Sequence, residues 1–262
     1  MKINLLSRNG MRQSMDKMSL GDRMKTFYEA PNTDVLPMRL PVIMRLDGRA
    51  FHTLTKKLDR PFDGKIIDLM QNTAKYLCEN ISGAVFAYTQ SDEISILIHN
   101  YKKLKTEAWF NNEVQKMVSI SASIASSYFT ANSDTIFNKI TIAQFDSRVF
   151  VIPESEVCNY FIWRQQDWER NSVQMLARSL FSQKECHKKN NSELHEMCFQ
   201  KGKNWNNLPI YLKRGTGVFK EETKRDKNGE LIERGKWIID KKIPIFTKNR
   251  FYINNFLKVE EN

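Results

Sequence analysis

The 262-residue chain has only four cysteines, Cys78, Cys158, Cys186 and Cys198. That is too few for a disulfide scaffold, and a reducing cytoplasm is the simplest compartment to expect. No run of about 18 apolar residues occurs, which excludes a membrane-spanning helix on sequence grounds. The opening stretch MKINLLSRNGMRQSMDKM breaks its apolar residues with charges every few positions, so it lacks the apolar segment of a signal peptide. There is no internal repeat and no low-complexity linker. Acidic residues are also in deficit: 30 Asp and Glu stand against 41 Lys and Arg, a formal charge of +11.

What is present suits a folded protein. Hydrophobic residues make up 41% and aromatics 11%, ample for a core and against wholesale disorder. The basic excess points to a polyanionic partner, because Lys and Arg displace counterions from phosphates. It is unevenly spread. Residues 1–60 carry 12 basic and 6 acidic groups, residues 61–150 carry 8 and 9, and residues 151–262 carry 21 and 15.

Along the chain, residues 1–40 suggest an amphipathic helix followed by a loop with Pro31, Pro37 and Pro41. Val42 to Leu46 reads as a strand closed by Asp47-Gly48. A helix is expected after Asp63 as N-cap, with Ile66, Ile67, Met70, Ala74 and Leu77 at helical spacing and Ser82-Gly83 ending it. Ala84 to Tyr88 and Ile94 to His99 read as strands around a polar turn from Thr89 to Glu93. A long helix is expected from Trp109 to about Phe129. Ile136 to Phe145 and Arg148 to Ile152 look like strands around a turn at Asp146-Ser147.

The order β-α-β-β-α-β is that of a ferredoxin-like α/β fold. Its third strand lies between the first two and antiparallel to the first. Asp47, at the end of strand one, and Asp92, before strand three, therefore fall at one sheet edge although 45 positions apart. Residues 154–205 read as helical. Residues 211–240 contain two strand-like stretches around Lys227-Asn228-Gly229-Glu230, a hairpin signal. The tail from Ile243 to Leu257 is apolar and is expected to pack on the core. These features divide the chain into 1–153, a catalytic region, and 154–262, a helical and hairpin region.

Two carboxylates at neighbouring strand ends are what two-metal nucleotidyl transfer requires. Mg²⁺ prefers carboxylate and backbone oxygen and shares its sphere with substrate phosphates. Gly48 permits close approach to the backbone. Arg49, Ala50, Phe51 and His52 can present successive N–H groups to a triphosphate. The bland alternative is that Asp-Gly is a turn and Ser-Asp-Glu a solvated hairpin tip. Arg164, Arg170, Lys213 and Arg214 are candidates for phosphate, or members of solvated helix faces. Trp163 and Trp168 are candidates for stacking on a base, or core residues. Cys186-His187 and His195-Cys198 fit no common zinc spacing and read as structural, as does His99.

VIMRLDGRAFHTLTK (42–56) followed by AYTQSDEISILI (87–98) resembles the tRNA-histidine guanylyltransferase family and its bacterial and phage-type relatives, the 3′–5′ polymerases. The resemblance continues through LGDRMK (20–25), FDSRVFVIP (145–153), WRQQDWERNSVQMLA (163–177), KGKNWNNLP (201–209) and KRGTGV (213–218). It implies a polymerase- or cyclase-like palm with added helices and a C-terminal hairpin. It implies addition of nucleotides to the 5′ end of tRNA, after activation of the 5′ phosphate by ATP. By motif match, Asp47, Gly48 and Asp92 hold two Mg²⁺ ions; Arg49 to His52 and Ser91 hold the triphosphate; Glu93 occupies the family's second acidic position. ATP and GTP are the implied substrates. Lys25, Arg164, Arg170, Asn171, Lys213 and Arg214 are implied contacts for tRNA or the activating nucleotide, and a homotetramer is the implied assembly. Arg170 to Leu176 departs from the His-Ile-Asn-Asn-Leu-Tyr-Asn of the dedicated eukaryotic enzymes. That departure favours templated repair of tRNA 5′ ends over addition of one guanosine to tRNA-histidine. A nucleotidyl cyclase and a non-catalytic RNA-binding module are the rival readings. The first needs no polyanion surface, and the second usually displays aromatics on its central strands.

Overall fold

The computed structural model describes residues 18–258 except Leu104, Asn228 and Gly229, and the backbone alone at 222–234. One six-stranded sheet organises the chain, in the order β4-β1-β3-β2-β5-β6, with every neighbouring pair antiparallel. The strands are β1 (Val42–Gly48), β2 (Ala84–Gln90), β3 (Glu93–Ile98), β4 (Phe145–Val151), β5 (Thr216–Lys227) and β6 (Glu230–Asp240). The first four form the expected palm, with β3 between β1 and β2. The hairpin strands extend its β2 edge: β5 pairs with β2 from Phe86↔Phe219 to Thr89↔Thr216.

Both faces of the sheet are covered, which is why β1 and β3 read as near-continuous apolar runs. Val42, Met44 and Leu46 join Ile94, Ile96 and Ile98 beneath two helices, α1 (Gly64–Asn80) and α2 (Val114–Ala131). Asp63 caps α1 as expected: its carboxylate accepts the N–H groups of Lys65 and Ile66. On the opposite face, Ile43, Phe86, Tyr88 and Leu97 pack against α3 (Glu154–Leu180) and against Ile243, Phe246, Ile253 and Leu257 of the tail. A third cluster joins Val173, Leu176 and Ala177 of α3 to Leu194 and Cys198 of α4 (Asn191–Gln200).

Three local expectations are corrected. Ile136 to Phe145 is not a strand: Asp134–Phe137 is a helical turn, and Ile140 and Ile142 lie in a loop, 68% and 76% exposed. β4 instead runs unbroken through Asp146-Ser147, because an edge strand tolerates polar residues on its open side. The helix expected from Trp109 starts at Val114. Phe110, Asn111 and Asn112 adopt positive φ, and the buried Asn112 amide donates to the Pro37 carbonyl at 3.2 Å, fixing the break. The polar turn after β2 shrinks to Ser91-Asp92, since Thr89, Gln90 and Glu93 pair within the ladder. At the N-terminus, the expected helix is described only from Leu20, with residues 1–17 outside the described set. Leu20–Met24 is α-helical, and Lys25–Glu29 and Ala30–Asn32 follow as π and 3₁₀ turns. Asn228-Gly229 of the hairpin signal likewise lies outside the described residues, while Lys227 pairs with Glu230 on either side.

Candidate active site

The sheet register assembles the carboxylates. Asp47 lies opposite Glu93 across the β1–β3 ladder and opposite Asp146 across the β1–β4 ladder. Directly opposed residues share a sheet face, so the three acids lie on the α3 face of the sheet. Asp92 joins them from the adjoining turn, where the Gly48 N–H donates to the Asp92 carbonyl at 3.0 Å. Burial holds both aspartates above the ordinary carboxylate range. For Asp47, the charge of Asp146 adds to the effect; for Asp92, the charge of Asp47 adds, while the Ser91 side chain opposes it by hydrogen bonding. Among the described residues neither aspartate forms a salt bridge. Arg45, Arg148 and Arg164 lower Asp47 in part, and His52 lowers Asp92, but burial prevails at both. Two partly buried, repelling carboxylates that form no ion pair are a donor set suited to a hard divalent cation. Among the described residues no three His, Cys, Asp or Glu side chains converge as a metal cluster.

Glu93 is placed differently. Its two carboxylate oxygens accept from Arg164 Nε and Nη2, both at 2.7 Å. Arg164 also donates to Asp167 at 3.1 Å, and Asp167 in turn takes Arg170 and Asn171. Burial outweighs the guanidinium, so Glu93 still sits above the ordinary glutamate range, while Arg164 holds its charge more firmly. Arg164 is thus an interior group facing the catalytic edge, and its donors are engaged there rather than on the surface.

The loop after β1 is shaped by sterics. A Cβ on Gly48 would overlap the Phe51 ring, which is buried against Phe129 and Phe145. Only glycine fits. Arg49 is tied to Gln144, by its N–H to the carbonyl and by its guanidinium to the side chain, each at 2.8 Å. Ala50 adopts a left-handed conformation and starts the helical turn Phe51–Leu54. The first N–H groups of that turn have no intrahelical acceptor. Ser91 is also left-handed, at φ 50°. Among the positive-φ non-glycine residues, Ala50 and Ser91 thus flank the carboxylates.

A cavity of about 440 Å³ opens beside this loop. Its walls include Phe51, His52, Arg60, Phe62, Ser91 and Asp92. Trp168 and Arg178 of α3 also line it, and Trp168 meets Phe62 edge-on at 6.3 Å. The space fits a nucleotide-sized ligand.

The sequence candidates divide accordingly. Asp47, Gly48, Arg49, Ala50, Phe51, His52, Ser91, Asp92 and Glu93 come together. Arg170 and Asn171 gather on Asp167. Lys213 donates to the Asn206 carbonyl at 2.6 Å and lies over Trp205, and Arg214 reaches the Ile243 carbonyl at 3.5 Å. Lys25 lies in the exposed N-terminal segment. Sequence reasoning missed Asp146 and Arg45, because it placed Asp146 in a turn; had β4 been read as continuous, the pairing would have exposed both. The cysteine and histidine pairs settle structurally: Cys198 is buried, and His195 packs edge-on against Trp205 at 5.1 Å.

Among the described residues no helix is long and apolar enough to cross a membrane. Residues 21–153 match the family model described as Thg1, tRNAHis guanylyltransferase. A solved bacterial Thg1-like protein in complex with ATP is 42% identical, covers 92% of this chain and 100% of its own, and superposes with a TM-score of 0.83. One in complex with GTP matches at the same identity and coverage with a TM-score of 0.76. The tRNA(His) guanylyltransferase of Schizosaccharomyces pombe is 27% identical over 219 residues, 76% of this chain and 82% of that protein. The chain therefore belongs to the Thg1 family of tRNAHis guanylyltransferases, a family of nucleotidyltransferases.

Proposed function

We propose that this enzyme adds nucleotides to the 5′ end of tRNA in the 3′–5′ direction, copying the opposing strand. The observation that carries the reading is the meeting of Asp47 and Asp92 at one sheet edge, beside a cavity lined by Ser91, Asp92 and the loop after β1. The departure of Arg170 to Leu176 from the dedicated enzymes' motif favours templated repair over a single guanosine.

The chemistry runs in two transfers. An oxygen of the tRNA 5′ phosphate attacks the α-phosphorus of ATP; the adenylyl linkage forms and pyrophosphate leaves. The 3′ hydroxyl of an incoming nucleoside triphosphate then attacks the activated 5′ phosphorus. The new phosphodiester forms, AMP leaves and the hydroxyl proton passes to solvent. Asp47 and Asp92, with the Gly48 carbonyl, would hold Mg²⁺, which supplies charge neutralisation at the phosphates and acidifies the attacking hydroxyl. The first backbone N–H groups of the Phe51–Leu54 turn, with the Arg49 guanidinium and His52, orient the triphosphate. Arg164 holds Glu93 and thereby fixes the Ser91-Asp92 turn.

Self-association into a homotetramer belongs to the same reading. Leu20, Phe27, Tyr28 and Val35 are exposed on an N-terminal segment whose helical turns bury none of their residues. Light scattering should report four copies.

The reading is tested by separating the half-reactions. With 5′-monophosphorylated tRNA and α-labelled ATP, label should appear on the RNA, and it should be displaced as AMP when GTP is added. Production of cyclic nucleotide without RNA would instead support a cyclase.

A further inference from the structure

The carboxylate edge must receive two partners, and the cavity accounts for one. Its lining includes neither Trp163 nor Arg45 nor Arg148. Those three residues lie together elsewhere. Arg45 is directly opposite Arg148 in the β1–β4 ladder, and the next pair on the same face is Asp47 with Asp146. A basic pair thus sits two residues, roughly 7 Å, from the acidic pair along the same strands. Trp163 comes from α3, above this face.

The indole is held and yet half open. Arg164 packs over its ring at 4.4 Å, Arg45 lies at 5.9 Å, and Tyr160 meets it edge-on at 5.8 Å. Arg164 is itself fixed by Glu93, so the ring has an immobile support. Even so, Trp163 is 50% exposed, whereas Phe161 and Trp168 on the same helix are 0% and 4%. An exposed indole backed by Arg164 and Arg45, with Arg148 opposite Arg45 in the ladder, half exposed and paired to Asp146 at 3.0 Å, presents a flat π surface in a cationic setting. That is the chemistry that binds an unpaired nucleobase and its phosphate.

Resting on the nucleotidyl-transfer reading above, we propose that Trp163 is the platform on which the terminal base of the RNA substrate stacks, with Arg148 and Arg45 taking the adjoining phosphate. The RNA end then reaches the carboxylates along the β1–β4 face, while the nucleotide reaches them from the cavity. The proposal commits the ring to RNA rather than to free nucleotide, because the nucleotide-sized space lies elsewhere.

The test uses the full-length enzyme and a labelled acceptor-stem hairpin lacking its first nucleotide. RNA affinity is measured by anisotropy, and ATP and GTP affinity by equilibrium dialysis. Trp163→Ala should lose about tenfold or more in RNA affinity, the scale of one base–aromatic stack. Trp163→Phe should recover most of that loss, and neither variant should change nucleotide affinity. Arg148→Gln should weaken RNA binding and lower the salt slope by about one. Unchanged RNA affinity in Trp163→Ala would overturn the platform. Loss of nucleotide affinity instead would also overturn it, moving the ring to the nucleotide site. A wild-type enzyme that bound ATP and GTP but no RNA would overturn the tRNA reading itself, whatever the variants did.

Discussion

Replacing Arg164 by methionine should be among the most damaging single changes near the site, and the reason is electrostatic. Glu93 and Arg164 have side chains only 10% and 7% exposed, so water screens the pair little. Removing one partner leaves an uncompensated buried charge, at a cost of about 3–5 kcal/mol. For a chain of this size that corresponds to a melting temperature lower by roughly 6–20 °C. The pH dependence has a definite sign. Burial already raises Glu93 above its ordinary value of 4.5, and loss of Arg164 raises it further. A carboxyl raised in the folded state gives stability at low pH that is lost as pH climbs through the folded value. The deficit of the variant should therefore widen as pH rises above the ordinary glutamate value. Adding Glu93→Gln to Arg164→Met should recover part of the loss and flatten the pH dependence, because a neutral amide takes the place of the stranded charge. Urea unfolding of the four proteins of this cycle, at several pH values, measures both effects. A loss below about 1 kcal/mol, or one independent of pH, would show that the pair is solvated and refute the reasoning.

Other consequences are as direct. Asp47→Asn and Asp92→Asn should each lower nucleotide addition by about 100-fold or more, the scale of losing one charge-stabilising group. Because both carboxyls are raised in the folded state, each variant should melt higher than wild type at neutral pH without divalent ions, as scanning calorimetry would show. Gly48→Ala should cost about 1–3 kcal/mol by overpacking against Phe51 and should depress activity, read by denaturation and by product formation together. Phe246→Ala should cost about 3–5 kcal/mol, since this tail residue is fully buried beside Tyr88; a change near zero in urea unfolding would mean the tail is not part of the core.

Much of the fold was legible because its signals are local or strictly periodic. The α1 cap at Asp63, the alternation of Ile94, Ile96 and Ile98, and the strand before Asp47-Gly48 each follow from short-range rules. The pairing of Asp47 with the β2–β3 turn followed from topology alone. What failed depended on burial across the chain. The apolar residues from Ile136 to Ile142 suggested a strand, yet Ile140 and Ile142 face solvent, and no composition rule separates these cases. Asp-Ser suggested a turn at 146–147, but an open sheet edge makes a polar pair acceptable within a strand. That misreading hid Asp146 and the Arg45–Arg148 pair. The role of Arg164 was hidden for a related reason: a basic residue on a long polar-looking helix suggests a phosphate contact, and only the packing of α3 on the sheet reveals Glu93 as its partner.

The central claim is templated 3′–5′ addition at the Asp47–Asp92 edge. Its most direct measurement gives the enzyme Mg²⁺, ATP, all four nucleoside triphosphates and tRNA lacking its first nucleotide, with the opposing base varied and products read at nucleotide resolution. The expected result is extension by the nucleotide complementary to each opposing base, abolished in Asp47→Asn and in Asp92→Asn. A single guanosine added whatever the opposing base, or extension undiminished in either variant, would contradict it.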